Sequence, residues 1–511
     1  RPWYWLLTQT SDYRIYQQQT IPDIIRSVLD KYPYRVEWRT TNTYPNLDYQ
    51  CQFGETDYDF ITRLCQEVGI NHWVEHQADG HTLVLSDTLS GFKPMDSAAY
   101  SELYVYPPDL KIQEEYLHTF HPNQALTTGR VRLSDFQFKT PKADQAVNAH
   151  NPWETAHNEL EVYEWQQGHY LSADEGGQEQ ANLRMQTHRQ HGQRMTGAGN
   201  LRGLQTGHSF TLRNHPAEDS NRSWILLGQE LHLQDIAPET MGKGNHQFQV
   251  HSRIIVQPDT EQVRPDRTER TMSKPRAAMQ TATVVGPADK EIWTDQYGRI
   301  KVQFHWDRYG TQDENSTCWL RVSSPWAGNE YGGIHIPRIG QEVIVTFIND
   351  DPDMPMVTGR VNNPEQMPPW ALSTNQALSG FKSKELNGAQ NNHLIMDDTQ
   401  SEVQVQLSSA HQLSQLNLGY VTRIPDTKGR ADYRGQGFEL RTDGWGAVRA
   451  AQGMLLSTYT RATASGHIKD LSETLGTLKS AHSQHHSFAQ IAIDHKADER
   501  DIKDTAQTDL K

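Results

Sequence analysis

Three cysteines in 511 residues exclude a disulfide framework, and Cys51, Cys65 and Cys318 form no Cys-x-x-Cys metal or redox spacing. They read as reduced, packed thiols. Long apolar runs are also missing. The longest, such as Trp224 to Leu227, are a few residues, whereas a membrane span needs ~20. Arg1 to Leu7 lacks the apolar segment and cleavage site of a secretory signal, which leads us to expect a fragment or a protein exported without one. Positive charge is short: 48 Lys and Arg face 63 Asp and Glu, and a net charge of −15 opposes general binding to nucleic acid or anionic membranes. Apolar residues are scarce as well, about 38% on the residue set for which ordinary globular chains give ~45–50%. The chain must therefore expose an unusually large wet surface or complete its core with partners. Its length exceeds what one core can serve and sets a prior of three or four domains.

Catalytic motifs are absent in turn. There is no G-x-x-x-x-G-K-S/T loop, no G-x-S-x-G elbow and no H-E-x-x-H helix. Gly197-Ala-Gly199 lacks the third glycine of a dinucleotide fingerprint and reads as a loop. Asp350, Asp351 and Asp353 offer oxygens of the kind that Ca²⁺ takes, but a prolyl turn after an apolar strand accounts for them without a metal. His482, His485 and His486 form the densest histidine group, and on a helix His482 and His486 sit at i and i+4, a spacing that can share a metal. No third ligand stands at a fixed offset, so a solvated polar face is the reading. A paired-carboxylate hydrolase needs a cleft of its own, and every segment is taken up by thin strands, a linker or a small barrel. We assign no catalytic, cofactor or metal residues, and expect no enzyme.

What is present is organised in blocks. Thr20-x-x-Asp23, with Pro22 in the first turn, opens the stripe Ile24, Ile25, Val28 and Leu29. Thr56-x-x-Asp59 opens Phe60, Ile61, Leu64, Cys65 and Val68, closed by Gly69. Both stripes are core faces. Alternating segments such as Thr82 to Leu85 and Trp224 to Leu227 complete an α+β domain over 1–262. Residues 263–276, with Arg264, Arg267, Arg270, Lys274 and Arg276 and almost no apolar side chain, read as a solvated linker. Over 277–365 come five strand signals: Thr281 to Val285, Ile300 to Trp306, Trp319 to Val322, Val343 to Ile348 and Met356 to Val361. Five short one-sided strands, closed to avoid free edges, suit a Greek-key barrel of the OB type. On such a barrel Trp306, Trp319 and Trp326 are candidate stacking platforms for an oligonucleotide, but the acidic charge and the apolar phase of Trp306 favour core roles. After a connector over 366–391, Val403, Val405 and Leu407 alternate with polar residues, Leu416 and Leu418 follow, and Gly435 to Thr458 continues the same thin pattern. Such strands over 392–460 are too thin to enclose a core alone. Residues 461–511 are polar, with Leu471, Leu475 and Leu478 at helical spacing.

Several segments are familiar. Phe53-Gly-Glu-Thr-Asp-Tyr-Asp-Phe60 and Asp295-Gln-Tyr-Gly-Arg-Ile-Lys-Val-Gln-Phe-His-Trp-Asp-Arg308 resemble the VgrG spike proteins of type VI secretion systems. So do Cys318-Trp-Leu-Arg-Val322, Pro325-Trp-Ala-Gly328, Ile336-Pro-Arg-Ile-Gly-Gln-Glu-Val343, Asp351-Pro-Asp353, Gly359-Arg360-Val361 and Gly437-Phe-Glu-Leu-Arg-Thr-Asp-Gly-Trp-Gly446. The resemblance implies a mainly β chain: a phage-hub-like α+β domain, an OB-type barrel, then the start of a trimeric β-prism spike with a helical C-terminal stretch. It implies that three copies cap a tube of Hcp rings, carry a PAAR tip, effectors and their adaptors, and meet baseplate components. The assembly forms in the bacterial cytoplasm and is driven out through target envelopes without a transmembrane segment. No cofactor and no nucleic acid enter that picture. The chain begins inside the hub as the family has it, and the Val-Gly repeats of the family's spikes are hardly visible. We therefore expect both ends to be incomplete. The alternative is a phage-like tail spike whose cell-wall hydrolase domain is not in this chain.

Overall fold

The computed structural model describes residues 1–107, 114–166, 176–235, 248–266 and 274–495. They fall into two units, Arg1–Pro368 and Pro369–Lys511. In the first, both capped helices form where the caps place them. Ile21–Leu29 starts on Thr20, whose hydroxyl accepts from the Asp23 amide. Asp57–Val68 starts on Thr56 in the same way and stops at Gly69, whose φ of 74° is a left-handed value that glycine adopts without strain. Their buried faces, Ile24, Ile25 and Val28 with Phe60, Ile61 and Leu64, join Leu7, Leu83 and Leu85 in one core.

A three-stranded sheet of Arg130–Ser134, Val147–His150 and Glu161–Trp165 packs on the helix Gly177–Arg189, and a seven-stranded sheet carries much of the remainder. Its central ribbon pairs Ser223–Asp235 with Phe248–Pro258, flanked by His208–Arg213 on one side and Met195–Gly199 on the other. Met195–Gly199 corrects the loop expected at Gly197-Ala-Gly199. The two glycines are strand residues, because a Cβ at Gly199 would stand 2.2 Å from the Tyr116 carbonyl oxygen of the adjoining segment. A close backbone approach, not a phosphate, uses them.

Five strands make the barrel. Gln280–Val285 pairs with Lys301–Phe304 and Glu342–Phe347, and the latter pairs with Pro355–Val361, which runs parallel to Arg321–Val322. Mutual hydrogen bonds between Ile300 and Leu320, at 3.0 and 2.7 Å, close the ring. Val284, Val302, Phe304, Val343 and Val345 fill it.

The segment read as a solvated linker is anchored at both described ends. Arg264 is buried and donates to the carbonyls of Gly69 (3.0 Å) and Asp87 (2.7 Å), two orphaned acceptors at element ends. At the other end Lys274 pairs with Asp351 at 2.7 Å and with the buried Asp353. Arg264 and Lys274 are plugs, while Arg276 is exposed as expected of a linker. Arg267 and Arg270 lie outside the described residues.

Lys274 and Asp353 belong to the junction between the barrel and the α+β region, whereas Arg264 holds within the latter. Asp353 accepts from the Cys51 amide and the Gln50 side chain, both at 2.6 Å. Beside it the buried Arg63 holds Glu55 at 2.6 Å and Glu67 at 3.2 Å. Burial opposes charge on Lys274, yet Asp353 and Glu67 raise its pKa. Burial raises that of Glu55 more than Arg63 lowers it. Apolar contact completes the joint: Trp306 packs on Phe304, Phe53 and Tyr13 with ring centroids 5.0, 5.8 and 5.6 Å away.

At the rim of this junction Asp12 accepts from Arg308 (2.9 Å) and the Tyr309 hydroxyl (2.7 Å). Burial pushes the Asp12 carboxyl up, but these donors outweigh it and its pKa is lowered. The contribution of such a group is complete above the ordinary carboxylate pKa and is lost as pH falls through the lowered folded value. The protection of the 308–310 amides, taken relative to their intrinsic exchange rate at each pH, is expected to fall in that acid range, and Asp12→Asn should flatten the response. An unchanged acid profile in the variant would show that the rim contact does not carry it.

In the second unit five antiparallel strands form a single meander: Leu378–Lys382, Asn392–Asp397, Gln404–Ser409, Ser414–Thr422 and Tyr433–Arg441. The first lies in the segment expected to be a connector. After Arg441 no strand is formed up to Thr458, where a thin continuation was expected, and the helix Ser472–Asp494 follows. Residues 496–511 of the C-terminal stretch lie outside the described residues.

Candidate assembly interface

In the five-stranded meander the pairing register decides which side chains share a face. Phe381 lies opposite Leu394, Leu394 opposite Leu407, Leu407 opposite Leu416 and Leu416 opposite Leu440. One apolar rung thus crosses all five strands. Two residues along each strand a second rung runs through Met396, Val405, Leu418 and Phe438. Most of this surface faces water: Leu407 is 56% exposed, Leu440 69% and Phe438 77%. Contiguous apolar surface of this kind marks an interaction site.

The opposite face is polar and covered. Gln406, Asn417 and Glu439 are successive cross-strand neighbours. Gln406 donates to Asn417 at 2.7 Å, and Asn417 to Glu439 at 2.8 Å. Gln404 bonds the Thr422 backbone in both directions, accepting from its amide at 2.7 Å and donating to its carbonyl at 3.0 Å. Among the described residues of this unit, Trp370, Leu378, Ile395 and Ile424 form the one buried apolar cluster. A sheet that hides its amides and shows its leucines is built for a partner on the leucine side.

The residues singled out in the sequence are dispersed. His482, His485 and His486 lie on the exposed helix, with the rings of His482 and His486 6.5 Å apart. Asp350, Asp351 and Asp353 form the expected turn, but Asp353 serves the junction described above, a role that no local spacing reveals. Trp306 packs against the barrel core and Trp319 lies 4.4 Å from Trp293 with the Lys301 ammonium over both rings. Trp326 corrects the core role: it is 66% exposed on a tight hairpin, edge-on to Tyr331. Gly328 and Gly333 donate to Tyr331 and Trp326, so the hairpin closes on its own backbone and lifts both rings off the barrel. Cys51, Cys65 and Cys318 are unpaired, and burial raises the pKa of each, Cys318 to about 12.

A cleft of about 1540 Å³ lies within the first unit, where every segment had seemed taken. Three of its carboxylates are engaged: Asp48 by Gln18, Glu67 by Arg63 and Asp353 by Lys274. No group of three or more His, Cys, Asp or Glu among the described residues of the chain is placed to hold a metal ion. No described helix is long and apolar enough to cross a membrane.

Three protein families match in succession: the phage tail baseplate hub family over 1–236, the type VI secretion system/phage-baseplate injector OB domain over 280–361, and the putative type VI secretion system Rhs element Vgr over 384–492. The chain is 38% identical over 411 residues to the Pseudomonas aeruginosa type VI secretion system spike protein VgrG1b, covering 79% of this chain and 54% of that one. It is 36% identical over 473 residues to VgrG2a of the same organism, covering 89% and 54%. It thus spans about half the length of these relatives. Among solved structures, the Francisella PdpA-VgrG complex aligns with a TM-score of 0.50 at 9% identity over 87% of this chain and 64% of that one, a likeness of fold.

Proposed function

Because the chain belongs to the VgrG spike proteins of type VI secretion systems, we propose that three copies assemble through the apolar face of the meander into a spike base. The observation that carries this reading is the rung from Phe381 to Leu440, exposed on a unit with almost no apolar core of its own. Three such sheets facing one axis bury it at about 1.5–3 kcal/mol per large side chain, and closed threefold symmetry repeats every contact without leaving a free edge.

In this reading the hub domains seat on the Hcp tube and meet the baseplate, the spike carries a PAAR tip with effectors and their adaptors, and the tube's advance drives it through a target envelope. Assembly takes place in the cytoplasm and export follows through the machine itself. The role is mechanical, and the anchored junction suits it, since axial force must pass from hub to barrel to spike without opening a joint.

Light scattering of the purified chain tests the proposal. A mass three times that of the chain supports it; a monomer at micromolar concentration refutes it. Release of soluble fragments from peptidoglycan would instead favour the phage-like hydrolase alternative.

A further inference from the structure

None of the residues of the helix Ser472–Asp494 is buried, and it meets its own chain through polar contacts of its first turns, Arg461 with Glu473 and the Tyr459 hydroxyl with that of Thr477 at 3.2 Å. The helix has 23 residues, and a helix in a protein gains most of its stability by burying one face. That face can be read from the spacing. Leu471 at the cap, then Leu475, Leu478, His482, His485, Ala489 and Ala492 follow one another at alternating steps of four and three. This is a heptad seam, with Leu475, His482 and Ala489 at a and Leu478, His485 and Ala492 at d. The helix's charged residues, Glu473, Lys479 and Asp494, all fall outside a, d and g. Phe488 at g and Ile493 at e would meet across neighbouring helices and widen the apolar contact where the seam itself carries only alanine. The seam is thus complementary to itself, and its occupant is the same helix of further copies.

We infer that His482 and His485 form stacked rings of imidazoles on the axis of the assembly and bind one divalent transition-metal ion of the Zn²⁺ class. The inference rests on the threefold reading above. Rotation about one axis places like residues at equal height, so helices that meet there are parallel and in register. Each a or d layer then supplies three imidazoles, and a borderline metal takes three with an open position left for water or an anion. The two layers are about 4.5 Å apart at 1.5 Å rise per residue. Two dications at that spacing repel strongly, so a single ion is expected. His486, at position e, points off the axis and is not a ligand. Binding requires neutral imidazoles, so acid releases the ion.

The experiment uses the full chain freed of metal, with Zn²⁺ as probe. Equilibrium dialysis is expected to give one tightly held ion per three chains. The double variant His482→Ala/His485→Ala should bind at least tenfold more weakly, His486→Ala should bind as the parent does, and all should keep the trimeric mass. One ion per chain, or loss of binding in His486→Ala, would point to an i, i+4 pair within one helix and overturn the axial site. Unchanged binding in the double variant would overturn it too. A trimer that binds no Zn²⁺ removes the metal site and leaves the proposed function standing. A metal-free monomer that stays monomeric with Zn²⁺ removes both.

Discussion

Asp353→Ala is expected to lower the unfolding free energy of the Arg1–Pro368 unit by about 3–5 kcal/mol, the range for removing one partner of a buried ion pair. The carboxylate serves three donors at once, the Lys274 ammonium, the Cys51 amide and the Gln50 side chain. Its loss strands a backbone N–H in the interior and leaves the half-buried lysine to Asp351 alone. Asp353→Asn keeps an acceptor and should cost less, while Asp353→Leu with Lys274→Met should recover little, because Asp351 then loses its cation and the Cys51 amide stays unpaired. Urea midpoints followed by the fluorescence of Trp306, which sits in the joint, measure all three. A loss below about 1 kcal/mol in Asp353→Ala would mean that the network does not hold the junction.

In the proposed trimer, Leu407→Asp is expected to leave monomers. Leu407 stands in the middle strand of the meander with Leu394 and Leu416 on either side, so threefold packing would seal three carboxylates into an apolar layer. Removing an isolated charge from water costs several kcal/mol per ion after relaxation, which exceeds what each leucine contributes by burial. Because the side chain is exposed within its own chain, the monomer should stay folded, and circular dichroism should keep its β signature while light scattering falls to one third of the mass. Ser379→Asp, at the margin of the sheet beside Met396, serves as a milder comparison. Trimer persisting in Leu407→Asp would place the contact elsewhere.

Local signals made much of this legible. Thr20 and Thr56 announced their helices because a cap and an apolar stripe occupy one short window, and the barrel strands showed because alternation is a property of neighbours. The meander was half visible: Val403 to Leu407 alternates cleanly, but Leu378–Lys382 contains Gly380 and only a short apolar run, and was taken for a connector. Asp353 looked like an ordinary turn residue because its partners Gln50 and Cys51 are about three hundred positions away. Arg264 and Lys274 seemed solvated for the same reason, since composition counts charge without locating the carbonyls and carboxylates that receive it. The acidic net charge and the apolar phase of Trp306 favour core roles for the tryptophans, yet a glycine-closed hairpin turns Trp326 out. The rung from Phe381 to Leu440 has no sequence signature at all before strand register is known.

The file of buried Gln406 and Asn417 with the part-buried carboxylate of Glu439 has a bearing on wear. Sliding one strand past the next by a single residue would turn every leucine inward and every amide outward, and would break the cross-strand side-chain bonds together with the backbone ladder. In the proposed spike, a lengthwise thrust that runs along these strands would load them in shear. The file acts as a row of detents: it keeps the layers from creeping out of step under repeated axial strain, so that such a spike either holds its shape or fails as a whole.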